Sequence, residues 1–155
     1  MRWVTILCAA MWAVAAAAAQ ADHPLPRSSV TIDTPRGPAR FAVEIADNDA
    51  TRFKGLMFRK EMAPDSGMLF EFPDDHFRSF WMKNTILPLD MLFIRADGTI
   101  SSIAENAKPF SEDIITSREP VRAVLEINGG RSAALGIKAG EKVHGAVFGQ
   151  AAPAR

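Results

Sequence analysis

The sequence predicts a mostly β domain of the α+β class: a compact curled antiparallel sheet or partial β-barrel carrying one or two short helices. Three observations lead there. Apolar residues recur at the period of half-buried strands in about eight short runs. Turn residues punctuate the chain every eight to twelve positions, roughly the spacing of all-β sandwiches and barrels. Only one segment between them, Thr51–Arg59, has its apolar residues at helical spacing over more than a turn.

The elements follow in order. Val30 and Ile32 open a strand that Pro35, Gly37 and Pro38 stop, and Phe41, Val43 and Ile45 alternate with Ala42 and Glu44 in the next. The two read as a hairpin. Asp47, Asn48 and Asp49 offer N-caps for a helix over Thr51–Arg59, with Phe53, Leu56 and Met57 on one core-facing side. Gly55 within that helix costs about 1 kcal/mol against alanine, which predicts a neighbour packed closely on it. Met68–Phe72 is a strand closed by Pro73, and His76–Met82 is another. Leu89–Arg95 and Thr99–Ala104 are joined by a tight turn at Asp97-Gly98. Lys108–Glu119 reads as loop. Val121–Ile127 is a strand, Arg131–Leu135 a single helical turn ended by Gly136, and Lys142–Phe148 the last strand. Short connections argue for antiparallel pairing and against βαβ units.

The chain has 155 residues, a one-domain length. Arg2, an apolar stretch from Trp3 to Ala19 and the tripeptide Ala19-Gln20-Ala21 match a secretory signal peptide cleaved after Ala21. A retained membrane anchor is the alternative, since the apolar stretch is near the short end of a spanning helix. On the first reading the organisation is a signal peptide (1–21), an extended leader (22–29), one domain (30–148) and a frayed tail (149–155), and the protein is periplasmic or secreted.

The only cysteine, Cys8, lies inside the first segment. The remainder therefore has no disulfide, thiol nucleophile or thiolate metal site, and its stability must come from core burial. Eighteen basic residues balance eighteen acidic ones, which points away from nucleic acid or an anionic membrane surface as partner. A monomer is expected, with no stable membrane insertion once the first segment is removed.

Candidate chemistry concentrates in Phe80–Ile94. There Lys83, Asn84 and Thr85 place cationic, amide and hydroxyl donors beside Trp81, between two apolar runs. Such a group could hold a polar ligand with an apolar face. Equally, Asn84 and Thr85 could bond local backbone to shape a turn, with Lys83 solvated and Trp81 in the core. Arg52 and Arg59, seven apart on the predicted helix, could receive a carboxylate or phosphate, or tie the helix to the sheet through Asp90 or Glu126. Asp90 and Glu126 could serve as an acid/base pair only if the fold brings them together. Met57, Met62, Met68, Met82 and Met91, with His23, His76 and His144, raise Cu(I) binding. Four of those methionines sit in apolar runs where methionine fills gaps in a core, and no metal or cofactor is expected.

Five motifs carry a resemblance: Arg52–Arg59, Gly67–Pro73, Phe80–Thr85 with Pro88-Leu89-Asp90, Val124-Leu125-Glu126 and Gly136–Glu141. In order and spacing, from about Val30 to Phe148, the chain resembles the domain of unknown function 192 family. It departs at Glu141, where the family commonly has aspartate. The resemblance implies a small β-rich fold, often exported in bacteria, and implies no reaction. The functional expectation is a non-catalytic ligand-binding or accessory module of the cell envelope, using the Trp81–Asp90 region for a polar small molecule or an envelope protein. The alternatives are a small hydrolase using Asp90 and Glu126 with Lys83 or Arg52, and a protein–protein interaction module.

Overall fold

A computed structural model of the protein describes residues 24–149. The proposed signal peptide lies outside the described residues, as does most of the tail. The strands are β1 (Arg27–Ile32), β2 (Ala39–Ala46), β3 (Ser66–His76), β4 (Ser79–Phe80) and β5 (Leu89–Ile94). They continue with β6 (Ile100–Ala107), β7 (Ile115–Thr116), β8 (Val121–Asn128) and β9 (Val143–His144). Two short helices, α1 (Asp49–Lys54) and α2 (Arg131–Leu135), interrupt them.

Seven strands form one sheet in the order β6-β5-β8-β3-β2-β1-β9, while β4 and β7 make a separate two-stranded ribbon. β1 and β2 are the predicted hairpin, although β1 begins at Arg27 rather than Val30. One joint departs from expectation: β3 runs parallel to β2. Parallel neighbours need a crossover of about a dozen residues or more, and the segment 47–65, with α1 inside it, is long enough to make one.

The sheet curls until its edges meet. β9 pairs with β1, while Lys142 bridges Thr99 in the β5–β6 turn. Val143 N–H donates to Gly98 O at 2.8 Å. Gly98 is required there: its φ is +83°, and a Cβ would stand 2.5 Å from Val143 O. The last strand is consequently short. After β9 the chain turns at Gly145 into a 3₁₀ turn at Ala146–Phe148, which seats Phe148 in the core.

Curling gives the central strands two buried faces. Inside the curl lie Phe41, Val43, Leu69, Leu92, Ile94, Leu125 and Ile127. On the outer face Met68, Phe70, Met91, Phe93 and Val124 are covered by Leu56 and Met82 from the crossover and the 80–88 segment. All six residues of β5 are buried, which explains its unbroken apolar run. Two carboxylates interrupt this doubly covered region, Asp90 on β5 and Glu126 on β8. The strands are adjacent, with Asp90 opposite Ile127 and Met91 opposite Glu126. Because strand side chains alternate, Asp90 points to the inner face and Glu126 to the outer one.

Candidate functional site

The polar gap at 83–85 is a tight turn. Asn84 takes φ +55°, a left-handed conformation that asparagine tolerates better than most residues. Its carbonyl accepts from Phe58 N–H at 2.8 Å, and Thr85 Oγ1 donates to Lys83 O at 3.1 Å. Thr85 O in turn accepts from Phe110 N–H at 3.1 Å. Lys83 Nζ lies at the surface, 5.2 Å from the Trp81 ring centroid and 3.8 Å from Glu112. Asn84 and Thr85 therefore knit the 57–58, 82–85 and 110–111 segments together. Trp81 and Thr85 reach the cavity described next, whereas Lys83 and Asn84 do not line it.

The two arginines are not brought together. α1 ends at Lys54, and Gly55 with φ +47° and Phe58 with φ +63° turn the chain out of the helical path. Phe53, expected in the core, is consequently 71% exposed. The helix starts as its caps dictate: Asn48 Oδ1 accepts from Thr51 N–H at 3.0 Å, and Thr51 Oγ1 accepts from Asn48 N–H at 3.2 Å. Gly55 does have its close neighbour, since a Cβ would lie 3.2 Å from the Phe70 ring. Arg59 instead binds Glu44 Oε2 at 2.5 Å in a separate cleft beside β2. Arg52 is held by Glu71 O and Asp49 Oδ1, both at 2.7 Å.

Arg52 borders a cavity of about 480 Å³ between the α1 turn, the end of β3 and the 77–85 segment. Buried Leu56, Phe70 and Glu126 form its floor, and exposed Phe53 and Phe77 with half-exposed Trp81 stand at its mouth. Phe72 contributes a wall that carries two guanidiniums, Arg78 at 3.9 Å and Arg52 at 5.3 Å from its centroid. Arg78 is anchored by Asp74 through the backbone carbonyl and the carboxylate, each at 2.5 Å. Phe80 meets Phe70 edge-on at 5.1 Å. Phe77 and Arg78 escape a strand reading of 76–82 because only His76, Ser79 and Phe80 pair as strand there, while Phe72 reaches the cavity from β3 itself. The rest of the segment winds past the cavity, so residues on both sides of an assumed alternation converge on it.

Glu126 is the chemical singularity of this cavity. It is 4% exposed and lies between Met68 and Met91 on the neighbouring strands. No hydrogen bond or ion pair among the described residues reaches its carboxyl. Burial, which penalises the charged form, pushes its pKa up to about 8. At neutral pH it is mostly a protonated acid. Asp90 is its opposite. Fully buried, it accepts Asn106 N–H at 2.8 Å and Gly130 N–H at 2.9 Å on one oxygen, and Ser132 N–H at 2.8 Å on the other. It thereby caps α2, whose own N-cap is a glycine. Pointing to opposite faces, the two do not form an acid/base pair. The methionines proposed for copper are placed as core: Met68, Met82 and Met91 are fully buried.

Comparison with known proteins decides the family. The DUF192 family model, described as an uncharacterised ACR, matches residues 30–145. The chain belongs to the DUF192 family. A solved relative from Sinorhizobium meliloti 1021, proposed to be a transcription regulator, is 48% identical with TM-score 0.79. The match covers 82% of this DUF192 chain and 99% of the relative. A protein of unknown function from Novosphingobium aromaticivorans DSM 12444 is 42% identical with TM-score 0.76, over 88% of this chain and 99% of that one. No curated protein matches this chain. No helix among the described residues is long and apolar enough to cross a membrane.

Proposed function

We propose that this DUF192 protein is an exported, non-catalytic module that binds a small molecule in the cavity above Glu126. The observation that carries the reading is Glu126 itself, a buried carboxyl with no described partner on the floor of an aromatic-walled cavity. An uncompensated buried acid opposes folding, and such perturbed groups cluster at functional sites. The cavity volume falls within the range of small-molecule sites, roughly 300–1,000 Å³. Its rings offer an apolar body flat surfaces, and its buried acid offers one orienting polar contact. Export rests on the composition of residues 1–21.

The regulatory role proposed for the Sinorhizobium relative finds no support in the charge of this chain, where acidic and basic residues balance. A second reading, docking of an envelope protein, is favoured by the exposed rings of Phe53, Phe58, Phe77 and Phe110 beside Trp81. Backbone bonds hold the Phe58 and Phe110 segments against the 82–85 turn, so these rings belong to neighbouring stretches.

A thermal-shift screen of compounds of up to about twenty heavy atoms tests the primary reading. A ligand at one hundred times its dissociation constant adds about 2.7 kcal/mol. The expected result is a shift that Trp81→Ala and Glu126→Gln each reduce. Shifts insensitive to both substitutions would move binding elsewhere, and would contradict the assignment of the cavity.

A further inference from the structure

We propose that the ligand of this cavity is a protonated amine carried on an apolar or aromatic body, with its ammonium group on the Glu126 carboxylate and its body between Trp81, Phe77 and Phe72. This rests on the cavity being a binding site, and it names the chemical class that the site takes.

The floor asks for a cation. A buried carboxyl gains most from a partner that carries positive charge and hydrogen-bond donors together, because the low local dielectric strengthens that pair. The protein supplies no such partner among the described residues. The neighbouring strands present only Met68 and Met91. The rings around the cavity suit the same guest, since aromatic faces attract a desolvated ammonium.

The charged groups lining the cavity are Arg52 and Lys54 from α1 and Arg78 from the 77–81 segment. Arg52 is paired with Asp49 and Arg78 with Asp74. Each carboxylate matches the charge of its arginine, through Nη2 of Arg52 and Nη2 of Arg78. Both arginines also rest on Phe72, whereas the pKa of Glu126 reflects its burial, with no pull from a nearby cation. The arginines on the Phe72 wall are thus charge-matched, and the floor selects the buried end of the ligand.

The proton balance gives the inference its signature. An ammonium ion that binds the protonated acid displaces one proton to solvent and leaves a carboxylate–ammonium pair. Affinity for an amine that stays protonated should therefore rise by up to about tenfold per pH unit below pH 8 and level off above it. Affinity for a neutral isostere should not rise.

The test is isothermal titration of the purified protein with three isosteric probes, tryptamine, tryptophol and indole-3-propionate, at pH 6, 7 and 9. The expected result is preference for tryptamine, increasing with pH. Glu126→Gln should lower tryptamine affinity at pH 9 by at least about thirtyfold, flatten its pH profile and leave tryptophol unaffected. Trp81→Ala, at the half-exposed mouth, should weaken both and leaves the fold less at risk. Equal binding of tryptamine and tryptophol, or tryptamine binding indifferent to Glu126→Gln, would overturn the amine inference while keeping the cavity as a site. Preference for indole-3-propionate would overturn it in favour of the arginines on the Phe72 wall. Failure of all three probes to bind would overturn the inference and the binding reading together.

Discussion

Asp90 and Glu126 lie on adjacent strands one register position apart, and both are buried, yet the fold treats them in contrary ways. Asp90 receives three backbone N–H groups and ties the end of β5 to α2 and to the end of β6. Glu126, one step away on the other face, receives nothing from the described residues. A carboxylate saturated by backbone donors is explained by the structure it completes. One left bare beside a cavity is, on the proposed reading, explained by what enters the cavity. Burial alone would have scored them the same, and only the partner inventory separates the two acids.

The largest effect expected from breaking this contrast is at Asp90. Asp90→Ala removes the acceptor of three charge-assisted hydrogen bonds and leaves one buried and two part-buried N–H groups unpaired, which should cost about 4–5 kcal/mol in urea unfolding. A loss below about 1 kcal/mol would mean that water or a rearranged α2 replaces it.

Next is the pH dependence at Glu126. Folding raises its pKa from the ordinary 4.5 to about 8, so the folded protein holds the proton more tightly than the unfolded chain. Stability from this group is therefore fully present below about pH 4.5 and is lost as pH rises toward 8. Glu126→Gln should abolish that decline and be more stable than the parent at pH 9, by an amount on the order of 3 kcal/mol. Parallel stability–pH curves for the two proteins would sink this. The exposed Asp97 acts in a different window. Bonds from Thr99 N–H and Lys142 hold its pKa at about 2, so its contribution is lost only as pH falls below the usual carboxylate range.

A smaller effect sharpens the geometry of the cavity wall. Gly55→Ala must place a Cβ against Phe70 in a left-handed conformation, with an expected cost of about 1–2 kcal/mol. Ligand binding should weaken with it if Phe70 shifts. Chemical unfolding and the thermal-shift screen read the two consequences separately. Lys83→Ala should be smallest, below about 0.5 kcal/mol, because its contact with Glu112 is a surface pair. A larger loss would restore Lys83 as a functional residue.

Much of this was legible beforehand. The strand periods of Phe41–Ile45 and Val121–Ile127, the Asp97-Gly98 turn and the α2 turn all follow local rules and appear where those rules place them. The five motifs identified the family. What was not legible depended on closure. The parallel β2–β3 joint follows from the 47–65 crossover, and the shortened last strand from the sheet curling until β9 meets the β5–β6 turn. Phe53 left the core because Gly55 ended the helix one turn early. Of the candidate residues, Trp81, Thr85, Arg52 and Glu126 line one cavity, while Lys83, Asn84, Arg59 and Asp90 lie at the surface, in a turn, in a second cleft and at a helix cap. Phe77 and Arg78 were not singled out because the segment read as a strand over 76–82 is mostly not one, and Phe72 because nothing in a strand period shows what lies over its face. The isolation of Glu126 could not be read at all, since it is a property of everything around the residue.

The most direct single test is the titration of Glu126 itself, followed through its side-chain carboxyl carbon by ¹³C NMR and assigned by its disappearance in Glu126→Gln. The account predicts a midpoint near 8 in the free protein. A midpoint in the ordinary carboxylate range, near 4.5, would show that water or an internal donor already satisfies the group, and would contradict the claim that it waits for a ligand.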